Sequence, residues 1–120
     1  MLYTQVLKDT KVFSKLYSKG QFCASKEIVA YYLPNRLPFN RFAAAASKKI
    51  GNAVARNRAK RLMRELYRLN ELKMPIGYDI IFVARPDIND KKLGELEFFV
   101  KRLLQNIPKE PDKTQKREKK

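Results

Sequence analysis

Residues 47–68 of this chain, SKKIGNAVARNRAKRLMRELYR, combine a helical apolar repeat with dense positive charge. Plotted at 3.6 residues per turn, the apolar side chains form one stripe, which consists of Ala55, Ala59, Leu62, Met63, Leu66 and Leu69. The polar side chains form a band on another side, which consists of Arg56, Asn57, Lys60, Arg61, Arg64 and Arg68. Asn52 stands just before the repeat, where its side chain can cap a helix that continues to Asn70. One face of this helix must pack against a core, and the other face is available for binding.

Arg58 lies outside this band, on the far flank of the apolar stripe near Glu65. It either reaches a second surface or forms an ion pair with Glu65. A run of charge on a helix commonly marks only a solvated face. This band, however, contains almost no acidic residue, whereas ordinary surface helices mix the two signs. The pattern therefore favours a binding surface for a polyanion.

The whole chain carries the same excess of positive charge, with 27 Lys and Arg against 12 Asp and Glu, a formal net charge of +15 and a pI near 10.1. Self-repulsion at this charge opposes folding unless an anionic partner, such as nucleic acid or an anionic membrane, offsets it. The start of the chain lacks the pattern of a secretion signal, and no apolar run approaches the length of a membrane span. We therefore expect a cytoplasmic protein.

Cysteine and histidine usage excludes further classes of site. Cys23 is the only cysteine and the chain contains no histidine. An intrachain disulfide and the usual zinc sites are therefore excluded. The expected role of Cys23 is that of a small buried hydrophobe.

The length of 120 residues suits one small domain. Residues 1–107 contain the periodic apolar segments and are predicted to form this domain. Residues 108–120, PKEPDKTQKREKK, have no large apolar side chain with which to enter a core. This composition predicts a disordered basic C-terminal tail.

Local patterns predict seven elements in the order αβββαβα. The first helix is capped by Asp9 or Thr10 and ends at Gly20, and the last is capped by Asn89 or Asp90. Strand patterns occupy residues 21–33, with a break near 25 and 26, then residues 41–46 and 78–84. This order predicts an α/β (α+β) two-layer sandwich in which helices pack on a small mixed sheet.

With these segments in order, the chain resembles the bacterial protein subunit of ribonuclease P. The core of the match is SKKIGNAVARNRAKRLMREL, in which Arg56, Asn57 and Arg58 look like the signature triplet of that family. FSKLYSKG, IVAYYLP and YDIIFVARP look like its first helix, its central strand and the strand after its long helix. The chain departs from the family at residues 43–46, where four alanines replace the usual glycine and β-branched residues.

The resemblance implies a fold like the second domain of ribosomal protein S5, with a left-handed βαβ crossover around the long helix, opposite to the usual handedness. It also implies a role in which a catalytic RNA, with Mg²⁺ bound mainly by that RNA, removes the 5′ leader of precursor tRNA. The protein would contribute no catalytic residue and no metal site. Its partners would be the catalytic RNA and precursor tRNA, with no membrane and no obligate protein partner.

Two binding surfaces follow from the resemblance. The surface for the catalytic RNA would consist of Lys48, Lys49, Asn52, Arg56, Asn57, Arg58, Lys60, Arg61 and Arg64. The cleft for the leader would consist of Phe13, Tyr17 and Tyr31, whose rings would stack on unpaired bases. Tyr31 and Tyr32 point to opposite faces of one strand, and only the resemblance selects Tyr31. Core packing is the alternative for each aromatic residue, and solvation is the alternative to phosphate contacts for Lys15, Lys19 and Lys26.

Other functions remain open on the residues alone. A small ribosomal protein would also have basic helices and a basic tail. A nuclease acting by itself is disfavoured, because the chain has no histidine for proton transfer and its carboxylates are scattered along the sequence. Adhesion to an anionic membrane is disfavoured by the alternating strand segments.

Overall fold

The computed structural model describes residues 4–108. Within this range the strands are β1 (Thr4–Val6), β2 (Gln21–Ala24), β3 (Ile28–Pro34), β4 (Asn40–Ala45) and β5 (Tyr78–Ala84). The α-helices are α1 (Thr10–Lys19), α2 (Ala53–Asn70) and α3 (Glu97–Asn106). Short 3₁₀ helices occupy Lys48–Ile50, Glu71–Lys73, Pro86–Asp90 and Leu93–Leu96. Except for Pro108, the predicted tail of residues 108–120 lies outside the described residues, so it stays a prediction.

The strands form one mixed sheet in the order β1-β4-β5-β3-β2. β5 pairs with β4 in parallel and with β3 in antiparallel orientation, so β5 is the central strand. α2 connects β4 to β5, which are parallel neighbours. The predicted α+β fold with a mixed sheet is confirmed, and the left-handedness of the crossover stays a prediction.

The main core lies between one face of the sheet and helices α2 and α3. Ala59, Met63 and Leu66 are buried there as the stripe predicted. Leu69, however, is 52% exposed, and Tyr67 is fully buried in its place. Tyr67 lies one turn beyond Met63, and its ring stacks on Phe42 of β4 at 4.2 Å between centroids. The prediction for Leu69 was therefore wrong, because the buried face is centred closer to Tyr67.

α1 covers part of the opposite face of the sheet, where it forms a second apolar cluster. Helices therefore lie on both faces of the sheet, and the predicted two-layer arrangement is corrected in this respect. Leu16 of α1 packs there with Leu7 and with Ile81 of β5, so the central strand is buried on both faces. Asp9 is confirmed as the N-cap, because its side chain accepts a hydrogen bond from the backbone N–H of Lys11. Gly20 ends α1 as predicted. A Cβ atom at Gly20 would lie 2.5 Å from the carbonyl oxygen of Leu16, so only glycine lets the chain turn this closely into β2.

Two parts of the predicted element order require correction. β1 was missed, because three residues on the edge of the sheet are too few to show a period of two. The last helix was predicted to begin at Asn89 or Asp90, whereas α3 begins at Glu97 after two 3₁₀ helices. The side chain of Asn89 instead donates a hydrogen bond to the carbonyl oxygen of Ile50, at 2.8 Å. The side chain that was predicted to cap the last helix therefore makes a tertiary hydrogen bond instead.

The side chain of Asn40, at the start of β4, connects β4 to the residues that lead into β5. The side chain is 2% exposed, and its Oδ1 atom accepts hydrogen bonds from the backbone N–H groups of Gly77 and Tyr78, at 2.7 and 2.8 Å. Its Nδ2 atom donates to the carbonyl oxygen of Pro75 at 3.0 Å. This one amide therefore satisfies three backbone groups where β5 begins.

Candidate nucleic-acid interface

The N-terminus of α2 is built by two caps around a glycine. Asn52 accepts a hydrogen bond from the backbone N–H of Ala55 at 2.9 Å, which confirms its predicted role as the N-cap. Ser47 caps the preceding 3₁₀ helix through the N–H of Lys49. Gly51 joins the two helices at φ 140°, a backbone conformation that side-chain-bearing residues rarely adopt. The result is a fixed corner from which Lys48 and Lys49 are exposed to solvent.

The cations of α2 are exposed or half-buried, and none of them is buried. We use the name basic surface for Lys48, Lys49, Arg56, Lys60, Arg61 and Arg64. Arg61 and Arg64 are exposed, and Arg56 and Lys60 are half-buried at the flank beside Tyr67. Within residues 4–108, none of the six side chains has a hydrogen bond or an ion pair with another residue. Asn57 is exposed on the same side of α2. The fold therefore leaves these six positive charges without an intramolecular partner among residues 4–108.

Two arginines of α2 behave differently from the basic surface. The guanidinium of Arg58 donates to the carbonyl oxygens of Lys91, at 2.7 Å, and Ile88, at 3.5 Å. Glu65, the other partner considered for Arg58, pairs with Arg68, and this hydrogen bond lowers the pKa of Glu65. Of the two alternatives predicted for Arg58, the ion pair with Glu65 is therefore wrong, because Arg58 contacts the segment after β5. Its contact with RNA stays a prediction.

Aromatic side chains cluster on the other face of the sheet, beside α1. The rings of Tyr17 and Tyr31 meet edge to face, with centroids 5.0 Å apart. Phe22 of β2 is paired with Tyr31 across the sheet, and their ring centroids lie 6.1 Å apart. Tyr17 and Phe22 are 48% and 65% exposed, and burial raises the pKa of Tyr17. We call Phe13, Tyr17, Phe22 and Tyr31 the aromatic trough.

Burial distinguishes the two neighbouring tyrosines. Tyr32 is buried in the main core, whereas Tyr31 is half-buried on the face that carries α1. Phe13 is half-buried and packs on the cluster around Leu16, so it contributes to packing as well as to the trough. Phe22 was missed by sequence reasoning. Phe22 could have been found only from the register of β2 and β3, which places it opposite Tyr31 in the hairpin.

β4 contributes to both faces of the sheet and leads to the first residues of the basic surface. Ala43 and Ala45 pack on the trough side of the sheet, and Ala44 and Ala46 pack toward α2. Lys48 lies three residues beyond Ala45, within about 11 Å along the chain. The chain therefore passes from the sheet directly to the first cations of the basic surface.

Comparison with known proteins identifies the family. A family model described as Ribonuclease P matches residues 1–108. The chain belongs to the ribonuclease P protein family. It is similar to the ribonuclease P protein component of Alkaliphilus metalliredigens, with 41% identity over 101 residues that cover 84% of this chain and 91% of the relative. It is also similar to that of Caldanaerobacter subterraneus subsp. tengcongensis, with 43% identity over 102 residues that cover 85% and 88%.

Solved structures agree with this family assignment. The RNase P protein of Staphylococcus aureus superimposes with a TM-score of 0.73 at 30% identity, over 83% of this chain and 92% of that chain. The RNase P protein of Thermotoga maritima superimposes with a TM-score of 0.77 over 87% and 98%, and at 23% identity it supports the fold alone. The resemblance that four sequence segments indicated is confirmed.

No helix among residues 4–108 has the length and apolar character needed to cross a membrane. In the same range no three Asp, Glu, His or Cys side chains come together as a metal site requires.

Proposed function

We propose that this chain is the protein subunit of a ribonuclease P ribonucleoprotein and promotes removal of the 5′ leader from precursor tRNA in the cytoplasm. The observation that carries the proposal is the basic surface, six cations without a partner among residues 4–108, in a chain of the ribonuclease P family. Phosphates of the catalytic RNA are the partner that such a surface needs. Arginine suits this contact because its planar guanidinium grips phosphate at two points.

The aromatic trough supports a separate contact with the leader. Exposed Tyr17 and Phe22 and half-buried Tyr31 offer ring surfaces on which unpaired bases can stack, whatever their sequence. Such stacking contributes about 1–3 kcal/mol per base. A leaderless tRNA lacks these bases. The trough therefore raises the affinity for precursor over product.

The chemical step belongs to the RNA in this proposal. The chain has no histidine, and its described carboxylates do not converge on a metal site. Mg²⁺, held mainly by the RNA, supplies the Lewis acid and the activated water for phosphodiester hydrolysis. The protein screens repulsion between the phosphates of the catalytic RNA and of the leader. This screening strengthens both precursor binding and Mg²⁺ binding by the RNA.

Reconstitution at low Mg²⁺ tests the proposal. The purified chain added to a catalytic ribonuclease P RNA should restore leader cleavage, and the Arg61→Ala/Arg64→Ala variant should restore less of it. Protein incubated alone with precursor tRNA, after removal of contaminating RNA, is the control for a self-sufficient nuclease. No gain in cleavage rate with the wild-type chain would refute the proposal and favour the ribosomal alternative.

The trough is tested by the preference for leader-bearing over leaderless tRNA. Tyr17→Ala should lower this preference by about tenfold, the equivalent of one weak stacking contact of about 1.4 kcal/mol. Phe98→Ala is the matched control, because Phe98 is 47% exposed on α3, a helix that packs on the opposite face of the sheet. If Tyr17→Ala weakened both tRNAs equally, Tyr17 would be a packing residue rather than a leader contact.

A further inference from the structure

A cavity of about 650 Å³ lies on the side of α1 that faces away from the aromatic trough. At 100° per residue, Phe13 and Tyr17 occupy one flank of α1, and Val12, Lys15 and Lys19 occupy the other. The second flank lines the cavity together with the end of β3 and the loop that follows it. Leu16 packs on the sheet between the two flanks. α1 therefore separates the cavity from the trough.

The floor of this cavity holds a fixed guanidinium. Asp79 of β5 accepts hydrogen bonds from Nε and from one terminal nitrogen of Arg41, at 2.7 and 2.8 Å. Asn35 donates a third hydrogen bond to the same carboxylate, at 2.9 Å. The side chain of Asp79 is only 7% exposed, whereas that of Arg41 is 27% exposed. Arg41 is thus locked in place, with N–H groups beyond the two that Asp79 accepts available at the cavity.

The loop at the rim is built around Arg36, which also lines the cavity. Arg36 adopts φ 61° and is the one non-glycine residue with positive φ among residues 4–108. Asn35 holds this conformation, because its Oδ1 atom accepts the N–H of Leu37 at 2.8 Å and its own N–H donates to Gly77. Such conformations persist only where the surroundings enforce them, and they cluster at binding sites.

The charges of the lining are unbalanced. Lys15, Lys19, Arg36 and Arg41 supply four positive charges, and Asp79 supplies one negative charge. The single carboxylate is already engaged by Arg41. Holding Lys15 and Lys19 beside Arg41 at one cavity costs repulsion that a bound anion would remove.

We propose that this cavity is a second nucleic-acid site, which binds phosphate groups of an RNA strand separately from the aromatic trough. The proposal rests on the proposed function, since it assumes that RNA is the partner of the chain. The strand can come from the leader of precursor tRNA beyond the trough, from the body of the tRNA, or from the catalytic RNA. All three present the same phosphodiester chemistry to Lys15, Lys19, Arg36 and Arg41.

The test compares two variants of equal charge. Lys15→Ala/Lys19→Ala removes two cations from the cavity, and Lys8→Ala/Lys11→Ala removes two exposed cations nearby that do not line it. The affinity of each full-length protein for the catalytic RNA is measured at several salt concentrations. The affinity of each reconstituted holoenzyme is then measured for tRNA with no leader, a short leader and a long leader. Circular dichroism checks that every variant is folded.

Loss of two single-strand phosphate contacts lowers the slope of log affinity against log salt by about 1.4. For the cavity variant, the fall in affinity between 50 and 200 mM salt should therefore be about sevenfold smaller than for wild type. This change should appear with one of the RNA ligands, which are the catalytic RNA and the three tRNAs, and each ligand is one arm of the experiment. The arm that changes identifies the strand. Arg36→Gly should act in the same arm, because glycine keeps the positive φ while it removes the side chain.

Equal salt slopes for the cavity variant and its control, in every arm, would overturn the proposal. Titration of the wild-type protein with a nucleoside triphosphate provides a further arm. Saturable binding that the cavity variant loses, with all RNA slopes unchanged, would assign the cavity to a free nucleotide and would also overturn it. Failure of the proposed function is distinct, because wild-type protein would then fail to stimulate leader cleavage.

Discussion

Replacing Arg58 by alanine should destabilise the folded chain and leave the electrostatic part of RNA binding nearly unchanged, whereas replacing Arg61 should do the opposite. Both residues are arginines of α2, and both were predicted from the sequence to contact RNA. The structure separates them, because Arg58 donates hydrogen bonds to two carbonyl oxygens after β5 and Arg61 is exposed with no partner in residues 4–108. The pair therefore offers a matched comparison on one helix.

The expected magnitude follows from the geometry. A hydrogen bond from a charged donor contributes about 1.5–3 kcal/mol when it is well formed. The bond from Arg58 to Lys91 is 2.7 Å long, but its donor is only half-buried. The bond to Ile88, at 3.5 Å, is at the distance limit and adds little. Arg58→Ala should therefore cost about 1.5 kcal/mol, near the lower end of that range, and Arg61→Ala should change stability by less than about 0.5 kcal/mol.

Urea unfolding followed by circular dichroism measures the first effect, and the salt dependence of binding to the catalytic RNA measures the second. Arg61→Ala should lower the salt slope by about one unit, and Arg58→Ala by much less. Arg58→Lys should recover part of the stability, since lysine keeps a charged donor but loses the planar fork. The reasoning is refuted if Arg58→Ala lowers the slope as much as Arg61→Ala while its unfolding midpoint matches wild type.

Three further substitutions test how the fold positions the interface. Gly20→Ala should destabilise the chain by about 1–3 kcal/mol in urea unfolding, because the added Cβ would press on the carbonyl oxygen of Leu16. Gly94→Ala is the control, because a Cβ at Gly94 meets nothing within 4 Å. Asn40→Ala should cost about 3 kcal/mol in the same assay, since it leaves two buried N–H groups without an acceptor. Burial raises the pKa of Tyr67 above its ordinary value of 10.0. The neutral phenol thus contributes stability that is fully present below pH 10 and is lost as the pH rises through the higher pKa of the folded state. Tyr67→Phe should therefore make the unfolding free energy fall less steeply at alkaline pH, measured by urea unfolding.

Local signals in the sequence were sufficient for the long elements. α2 was predicted between Asn52 and Asn70, and it spans Ala53–Asn70, because its cap and its apolar period lie within the helix itself. The strand Tyr78–Ala84 was predicted from a continuous apolar run, which suits a strand that is buried on both faces. The four alanines of residues 43–46 favour a helix by propensity. Ala43, Ala44 and Ala45 nevertheless lie in a strand because they pair with β5, and propensity does not report such pairing.

In the candidate site, sequence predicted the position of a side chain only where that position depends on the periodicity of the side chain's own helix or strand. Arg61 and Arg64 point to solvent, as the helical period of α2 requires. The carbonyl partners of Arg58 lie about thirty residues later, in a segment with irregular backbone, so no spacing in the sequence announces them. Phe22 and the cavity beside α1 likewise depend on which strands pair and on where a helix crosses the sheet.

The distribution of carboxylates explains how a chain of charge +15 can leave one side of α2 unneutralised and still fold. Asp79 holds Arg41, Glu27 lies 3.9 Å from Lys91, and Glu97 accepts a hydrogen bond from Asn70. These acidic groups serve contacts that fix the sheet and the segments around it, so they are not available to the basic surface. The repulsion among the remaining cations is then spread over an exposed face, where solvent and salt screen it. A phosphate backbone that reaches this face displaces screening ions rather than intramolecular partners, and binding therefore requires no part of the fold to open.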